Sequence, residues 1–236
     1  MKKISILFCM LISMFCLAAC AKDSTDTFDT SAQNETEKLH DDVSAENIRC
    51  VTISGNARSI VIGQSEDENF SFLNKDLNAE HVYQVKCAGN GDTLDISVMM
   101  ENAEADNDIL GSVWINIPQK EFEEIEMTGD FRQISLYTVN SNVLIHDSHA
   151  FVNLDLEAEH IKHNITLDGS ESNTFRGVSV YLDKVPDHVK MELTPIQGGT
   201  INDPENMLKK GEPASGAEEP VISINNTKEI NIYRNE

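Results

Sequence analysis

Two pairs of histidines have the spacing of a zinc site. His160 and His163 lie three residues apart with Asp168 downstream, and His146 and His149 repeat the interval. Zinc commonly binds histidine and carboxylate side chains. On a strand, however, residues three apart point to opposite faces, so either pair converges only if a turn lies between its members. The sequence therefore favours solvent-facing histidines, and we predict no metal site.

A cluster of acidic residues within 101–108 suggests calcium chemistry. Glu101, Glu104, Asp106 and Asp108 lie close together but lack the Asp-x-Asp-x-Asp-Gly order that places oxygen atoms around one ion. The Gly-Asp nonapeptide repeat of calcium-binding β-rolls is also absent from the sequence. A solvated acidic loop is the favoured interpretation, and divalent-cation binding is kept as an alternative function.

The sequence carries no recognisable catalytic motif. It has no Gly-x-Ser-x-Gly, no phosphate-binding loop and no dinucleotide fingerprint. Glycoside cleavage needs two carboxylates at a set separation, and 40 acidic residues single out no pair. Aromatic residues, which sugar-binding clefts use as platforms, make up 6% of the chain, with Trp114 the single tryptophan. We therefore predict no enzyme, no catalytic residue and no cofactor; the alternative is a carbohydrate-active β-helix enzyme.

Cys20 has a clearer chemical context. It ends the stretch Leu17-Ala18-Ala19-Cys20, which follows a basic start and an apolar run from Ile4 to Phe15. These features are typical of a secretory signal peptide. The run is too short for a transmembrane helix, which needs about 20 apolar residues.

The four residues that end at Cys20 resemble the lipobox of bacterial lipoproteins. The resemblance implies a signal peptide over 1–19, cleavage before Cys20 and a lipid on the sulfur of that cysteine. We expect the membrane to be a partner through this anchor. The predicted location is the extracytoplasmic face of the cell membrane.

Residues 20–44 predict a disordered acidic tether behind the lipid. Seven acidic residues lie in 21–44 against Lys22 and Lys38, and such a segment buries too little apolar surface to fold alone. The whole chain carries −22, and loss of two lysines with the signal peptide leaves about −24. This charge argues against nucleic-acid binding, which requires clustered basic residues.

Cys50 and Cys87 are the two cysteines that remain beside Cys20 after processing. An extracytoplasmic location permits a disulfide between them. Closing that loop would stabilise the fold by roughly 4 kcal/mol in the chain-entropy model. The alternative is two buried thiols, and the sequence leaves both open.

The dominant hydrophobic period is two, which predicts short β-strands in an all-β domain over 45–236. From Gln133 to Leu193 the strands recur every nine to thirteen residues, as in a solenoid or a β-sandwich. In a solenoid the inward residues would be Ile134, Leu136, Val143, Ile145, Val152, Leu154, Leu156, Ile165, Leu167, Val178, Val180 and Leu182. The proline- and glycine-rich segment 203–220 breaks this pattern and is predicted to be a flexible excursion.

The segment VWINIPQKEFEEIEMTGDFRQISLYTVNSNVLIHDSHAFVNLDLEAEHIKHNITLDG resembles the DUF4097-type, adhesin-like β-helix domains of bacterial envelope proteins. It shares a strand ending in Pro118, repeated short strands with small polar turns, and a closing strand pair at 221–233. The resemblance implies a right-handed β-solenoid, with a β-sandwich as the alternative. It also implies a non-catalytic envelope interaction, adhesion or structural module, whose partner would be an envelope protein or a cell-wall glycan.

Overall fold

The computed structural model describes residues 36–75, 83–100, 112–170, 172–208 and 219–235, all within one unit, Asn34–Glu236. In this part the chain is all-β, apart from a short 3-10 helix at Ala158–His160. The strands are β1 (Thr36–Ser44), β2 (Cys50–Ser65), β3 (Asn69–Lys75), β4 (Tyr83–Asn90), β5 (Thr93–Met100), β6 (Ser112–Pro118), β7 (Phe122–Tyr137), β8 (Ser141–His146), β9 (Phe151–Leu156), β10 (Ile165–Asp168), β11 (Gly177–Leu182), β12 (Lys190–Thr194), β13 (Thr200–Asn202), β14 (Val221–Asn225) and β15 (Glu229–Arg234).

The strands form one open sheet that divides into two ladders. The first ladder runs in the order β4, β5, β2, β7, β8, β10, β14 and β12. The second runs in the order β1, β3, β6, β2, β7, β9, β11, β15 and β13. All pairings are parallel except β4 with β5, β1 with β3, and β3 with β6. The long strands β2 and β7 belong to both ladders. The first half of each strand lies in the first ladder, and the second half lies in the second ladder.

Glycines mark the point where β2 and β7 leave the first ladder for the second. Gly55 and Gly129 are register partners with φ values of +126° and +143°, where side chains are strained. A Cβ on Gly129 would lie 2.2 Å from the carbonyl oxygen of Gly55, and one on Gly55 would lie 1.9 Å from that of Val98. The sequence predicts separate strands on either side of each glycine, whereas the structure keeps each segment as one bent strand.

Alternating burial along the strands builds a single apolar core. Every residue of the predicted inward set is buried, from Ile134 to Leu182, which confirms that prediction. In the second ladder, register partners from successive strands stack their side chains inward: Val113, Ile60, Ile134, Val152, Val178 and Ile230. Burying each such side chain contributes about 1.5–3 kcal/mol, so the stacked rows stabilise neighbouring strands mutually.

The spatial order of the strands differs from their order in the chain. The strand pair β14–β15 lies between β10–β11 and β12–β13, although β12 and β13 precede it in sequence. The pair at 221–233 is therefore not the end of the ladders, contrary to its predicted closing position. The exposed strands β12 and β13 occupy that end among the described residues.

Part of the predicted tether is ordered. Strand β1 pairs with β3, and its Leu39 and Val43 pack against the core, while the ring centroids of His40 and Phe72 lie 5.5 Å apart. The prediction that the disordered tether extends to residue 44 is therefore wrong for residues 36–44. This segment is ordered because its two apolar residues pack against the core at the edge of the sheet. The predicted signal peptide at 1–19, Cys20 and the rest of the tether lie outside the described residues.

The start of the predicted flexible excursion is also ordered. Asp203 accepts hydrogen bonds from the backbone N–H groups of Met207 and Leu208, at 2.7 and 3.0 Å, and the Met207 side chain is buried. One buried methionine thus fixes the turn that follows β13. Residues 209–218 of this segment, and residues 101–108 of the acidic cluster, lie outside the described residues.

Candidate functional site

The outward residues of the second ladder include most of the aromatic side chains that are not in the core. Trp114, Tyr137, Phe151, Tyr181 and Tyr233 alternate with buried residues on β6, β7, β9, β11 and β15, so they face away from the core. Tyr137 is 40% exposed and Phe151 is 50% exposed. Outward positions on the described strands of the first ladder carry no phenylalanine, tyrosine or tryptophan. We call this aromatic surface the outer face of the second ladder.

Two of these rings meet across strand β2. The ring centroids of Trp114 and Tyr137 lie 6.3 Å apart with an angle of 25° between their planes. The strand between them, β2, pairs Val61 with Trp114 and places Gly63 beside Tyr137, where an added Cβ would lie 3.9 Å from the ring. The Lys75 ammonium lies 3.5 Å from the centroid of the indole. This cation–π contact holds the indole in one orientation.

The outer face continues along β11, β15 and β13 as a row of stacked and hydrogen-bonded side chains. Tyr181 and Tyr233 are register partners, and their ring centroids lie 5.3 Å apart. Beside them, the Asn202 amide donates to the side-chain oxygen of Asn231 at 2.8 Å. Stacked rings and paired amides are more ordered than isolated surface side chains. The face therefore presents a preorganised surface of aromatic and amide groups.

A cleft of about 890 Å³ opens where the second-ladder strands end. Its floor comes from the carboxyl ends of β2, β6, β7 and β9, and its wall from the turns after β7 and β9. The lining residues are Gly63, Gln64, Trp114, Asn116, Gln119, Tyr137, Thr138, Val139, Asn140, Asp155, Glu157, His160, Lys162, Asp183 and Asn235. Because parallel strands all end at the same edge, residues distant in sequence converge here.

Hydrogen bonds between neighbouring turns fix the wall of the cleft. The Thr138 hydroxyl accepts from the backbone N–H of Glu157 at 2.9 Å, and Asp183 accepts from that of Ala158 at 2.7 Å. Across the cleft, the Asn235 amide donates to Asp155 at 2.5 Å. The carboxylates of Asp155 and Asp183 thus hold the scaffold while they line the cavity.

The four histidines of the predicted spacing have separate partners. His146 contacts Glu126 at 2.7 Å and Asp147 at 2.9 Å, and these two carboxylates raise its pKa, the hydrogen bond to Glu126 most. His149 is 3.3 Å from the carbonyl oxygen of Thr174. Within the described residues no group of three or more metal-binding side chains converges.

The second histidine pair lies near the cleft, with one member on its wall. His160 is hydrogen-bonded to Glu157 at 2.5 Å, and His163 to the side chain of Asn140 at 3.1 Å. His160 ends the 3-10 helix and His163 follows it, and each ring has its own partner. These histidines therefore brace the wall of the cleft.

Cys50 and Cys87 are free thiols on strands that flank β5. Cys50 pairs with Thr93 of β5, whereas Cys87 pairs with Ile96 three residues further along. Two strand spacings and this offset separate the Cα atoms by roughly 14 Å, beyond the limit of about 7 Å for a disulfide. Of the two alternatives that the sequence leaves open, the structure has the free thiols and not the disulfide. Burial raises the pKa of Cys87 to about 11, and burial is also the largest cause of the raised pKa of Cys50.

Sequence reasoning missed the aromatic face because it weighed aromatic content, which is low, rather than aromatic position. The signal was present in the alternation. Trp114 lies between Val113 and Ile115, and Tyr181 lies between Val180 and Leu182, so both rings had to point outward. Which strands would lie side by side was not readable from this pattern.

Comparisons with known proteins give one structural likeness. No family model matches the chain, and no curated protein matches it. The chain is similar to the crystal structure of a proposed cell adhesion protein from Clostridium sporogenes, with 16% identity and a TM-score of 0.49 over 85% of this chain and 98% of that one. No helix of the described part is long and apolar enough to cross a membrane. The DUF4097-type resemblance and the lipobox remain predictions.

Proposed function

We propose that the chain is a lipid-anchored extracytoplasmic protein with a non-catalytic interaction, adhesion or structural role, built on a right-handed β-solenoid. Parallel pairing of β7, β8, β10 and β14, and of β7, β9, β11 and β15, supports the solenoid, because β-sandwiches pair mainly antiparallel. A right-handed course follows from the general preference of parallel crossovers.

The observation that carries the binding role is the aromatic outer face of the second ladder. Of the four tyrosines, three lie on this face together with the single tryptophan, although such rings usually gain most from burial. Tyrosine and tryptophan are enriched in the cores of binding interfaces. A partner that covers the face would bury these aromatic rings, which are partly exposed in the free protein.

The hydrogen bonds of the cleft support binding rather than turnover. Asp155 is bonded to Asn235, Asp183 to the backbone of Ala158, and Glu157 to His160. Carboxylates that hold a wall in place are less suited to the proton transfers that glycoside cleavage requires. Steady release of reducing ends from glycans by the purified chain would contradict the non-catalytic role.

The binding role is tested by measuring how much fluorescently labelled full chain binds to intact cells. Substitutions are made on the outer face of the second ladder and, as a control, on the outward side of the first ladder. We expect Tyr181→Ser combined with Tyr233→Ser to reduce binding several-fold. The matched control is Leu144→Ser, an outward apolar residue of the first ladder, which should bind as the wild type does. Equal loss in both variants, with both folded by circular dichroism, would contradict a role for this face.

The anchor is tested by substitution of the predicted lipid acceptor. Cys20→Ser should abolish incorporation of labelled fatty acid and leave the chain uncut, or release it to the medium. One acyl chain binds a membrane only marginally, so a stable anchor takes two or three chains, and the variant would lack them all. Unchanged lipid labelling of the variant would refute the anchor.

A further inference from the structure

We propose that the cleft beside Trp114 binds an oligosaccharide of uncharged sugars. The inference rests on the proposed binding function and gives it a ligand class. A pyranose ring has an apolar face of C–H bonds and a rim of hydroxyl groups. A site for it therefore needs a flat apolar surface next to side chains that both donate and accept hydrogen bonds.

The flat surface is the ring of Tyr137, which stacks on Trp114 at the end of the cleft formed by β6 and β7. Trp114 and Tyr137 both line the cleft, and their planes differ by 25°. The Lys75 ammonium covers one face of the indole and fixes it beside Tyr137, and Tyr137 leaves 40% of its area open to solvent. Rings that are already oriented cost little entropy when a ligand covers them.

The hydrogen-bonding rim is rich in amides. Five amide side chains line the cleft: Gln64, Asn116, Gln119, Asn140 and Asn235. Asn116, Asn140 and Asn235 each make one hydrogen bond within the protein already. Since an amide has two donor hydrogens and two acceptor lone pairs, each keeps a donor and an acceptor for a hydroxyl group, which also does both. A peptide ligand would instead be expected to use an exposed strand edge or a continuous apolar groove. The mixture of rings and amides favours a sugar.

The charge of the cleft selects against acidic sugars. Asp155, Glu157 and Asp183 line it, against Lys162 and His160 on the basic side. The whole chain carries −22 as well. A uronate, a sialic acid or a phosphorylated glycan would meet like charge at the cleft and across the surface. Neutral sugars carry no such penalty.

The size and position of the cleft suit a short oligomer. Its volume of about 890 Å³ lies near the upper end of the roughly 300–1,000 Å³ found for small-molecule sites. The floor is built on strand ends rather than on long loops, so its shape is set by the ladder. The wall is held by the hydrogen bonds of Thr138 and Asp183.

The test measures affinity of the full chain for neutral hexasaccharides of glucose, mannose, galactose and N-acetylglucosamine, with hexagalacturonate as the acidic comparison. We expect at least one neutral hexamer to bind, and Trp114→Ala or Tyr137→Ala to weaken it about tenfold. Leu144→Ala, an outward residue of the first ladder, is the matched control and should leave affinity unchanged. Absence of neutral binding, a preference for hexagalacturonate, or wild-type affinity in Trp114→Ala would overturn the proposal.

A parallel cell-binding experiment distinguishes failure of the glycan proposal from failure of the proposed interaction role on which it rests. Cells are treated either with mild periodate, which cleaves sugar diols, or with protease, before the labelled chain is added. Loss of binding after periodate supports the glycan. Binding that survives periodate and is lost after protease overturns the glycan while the interaction role stands. No binding to untreated cells would refute the interaction role itself.

Discussion

Replacement of Gly129 by alanine tests how the two ladders are joined. Gly129 has φ of +143°, and the backbone of Gly55 on the neighbouring strand lies directly against the position that a Cβ would take. The added Cβ would lie 2.2 Å from the Gly55 carbonyl oxygen and 3.0 Å from the Gly55 nitrogen. Both contacts are to backbone atoms, so no side chain can move aside to relieve them.

The expected destabilisation follows from two contributions. An alanine held at this φ costs about 1–3 kcal/mol. Relief of the clash requires β2 and β7 to separate by about 1 Å, which weakens adjacent ladder hydrogen bonds worth about 0.5–1.5 kcal/mol each. Together these predict a loss of about 3 kcal/mol in the free energy of unfolding. For a domain of this size the melting temperature should fall by about 6–12 °C.

The assay is urea unfolding followed by circular dichroism, with a thermal melt as a second measurement. The matched control is Gly89→Ala on β4, where an added Cβ meets no atom within 4 Å and φ is not positive. That variant should change the free energy of unfolding by less than about 1 kcal/mol. If Gly129→Ala were as stable as Gly89→Ala, the close approach of β2 and β7 at this bend would be refuted.

Three further predictions follow from local contacts. Alkylation of the denatured mature protein without reductant should label both Cys50 and Cys87, and labelling that needs prior reduction would reveal a disulfide. The raised pKa of His146 stabilises the fold at low pH, and this stability is lost as the pH rises from about 6.5 through the higher folded-state value. Unfolding curves of His146→Gln should therefore lack that decline above about pH 6.5, and a decline as steep as that of the wild type would contradict it. The Lys120 ammonium donates to the carbonyl oxygens of Ala45 and Ile48 at 2.7 and 2.5 Å, so Lys120→Met should lower the free energy of unfolding by about 2 kcal/mol; no change in a urea titration would refute this role.

The alternation of apolar residues made the strands and the core predictable. Val152, Leu154 and Leu156 had to share one face of a strand, and they are buried together on β9. The bend at Gly129 was not predictable as a bend, since a glycine between two apolar runs equally well ends one strand and starts another. Its role depends on a partner glycine 74 positions away, which pairs with it across the ladder.

The order of strands in the ladders lay beyond sequence reasoning for a related reason. Strands β14 and β12 have similar alternating patterns, and either would complete the ladder beside β10. Their burial decides the order: Ile222 and Ile224 of β14 are fully buried, whereas Met191 and Leu193 of β12 are half-buried. A long-range choice between two compatible strands is set by packing of the whole core, not by local pattern.

The same limit applies to the candidate site. Each aromatic residue could be predicted to point outward, but Trp114 and Tyr137 meet because β2 lies between their strands and pairs with both. The cleft likewise joins Gln64, Asp155 and Asn235 from three different strand ends. The spacing of these residues along the sequence does not predict that they converge.

The most direct test of the account is photo-crosslinking in intact cells from one position on each face. A photoreactive amino acid replaces Asn153, an outward residue of the second ladder on β9, or Thr166, an outward residue of the first ladder on β10. The account predicts covalent adducts to a surface component from position 153 and none from position 166. Adducts from position 166 alone, or equal yields from both, would contradict the claim that the second ladder is the binding face.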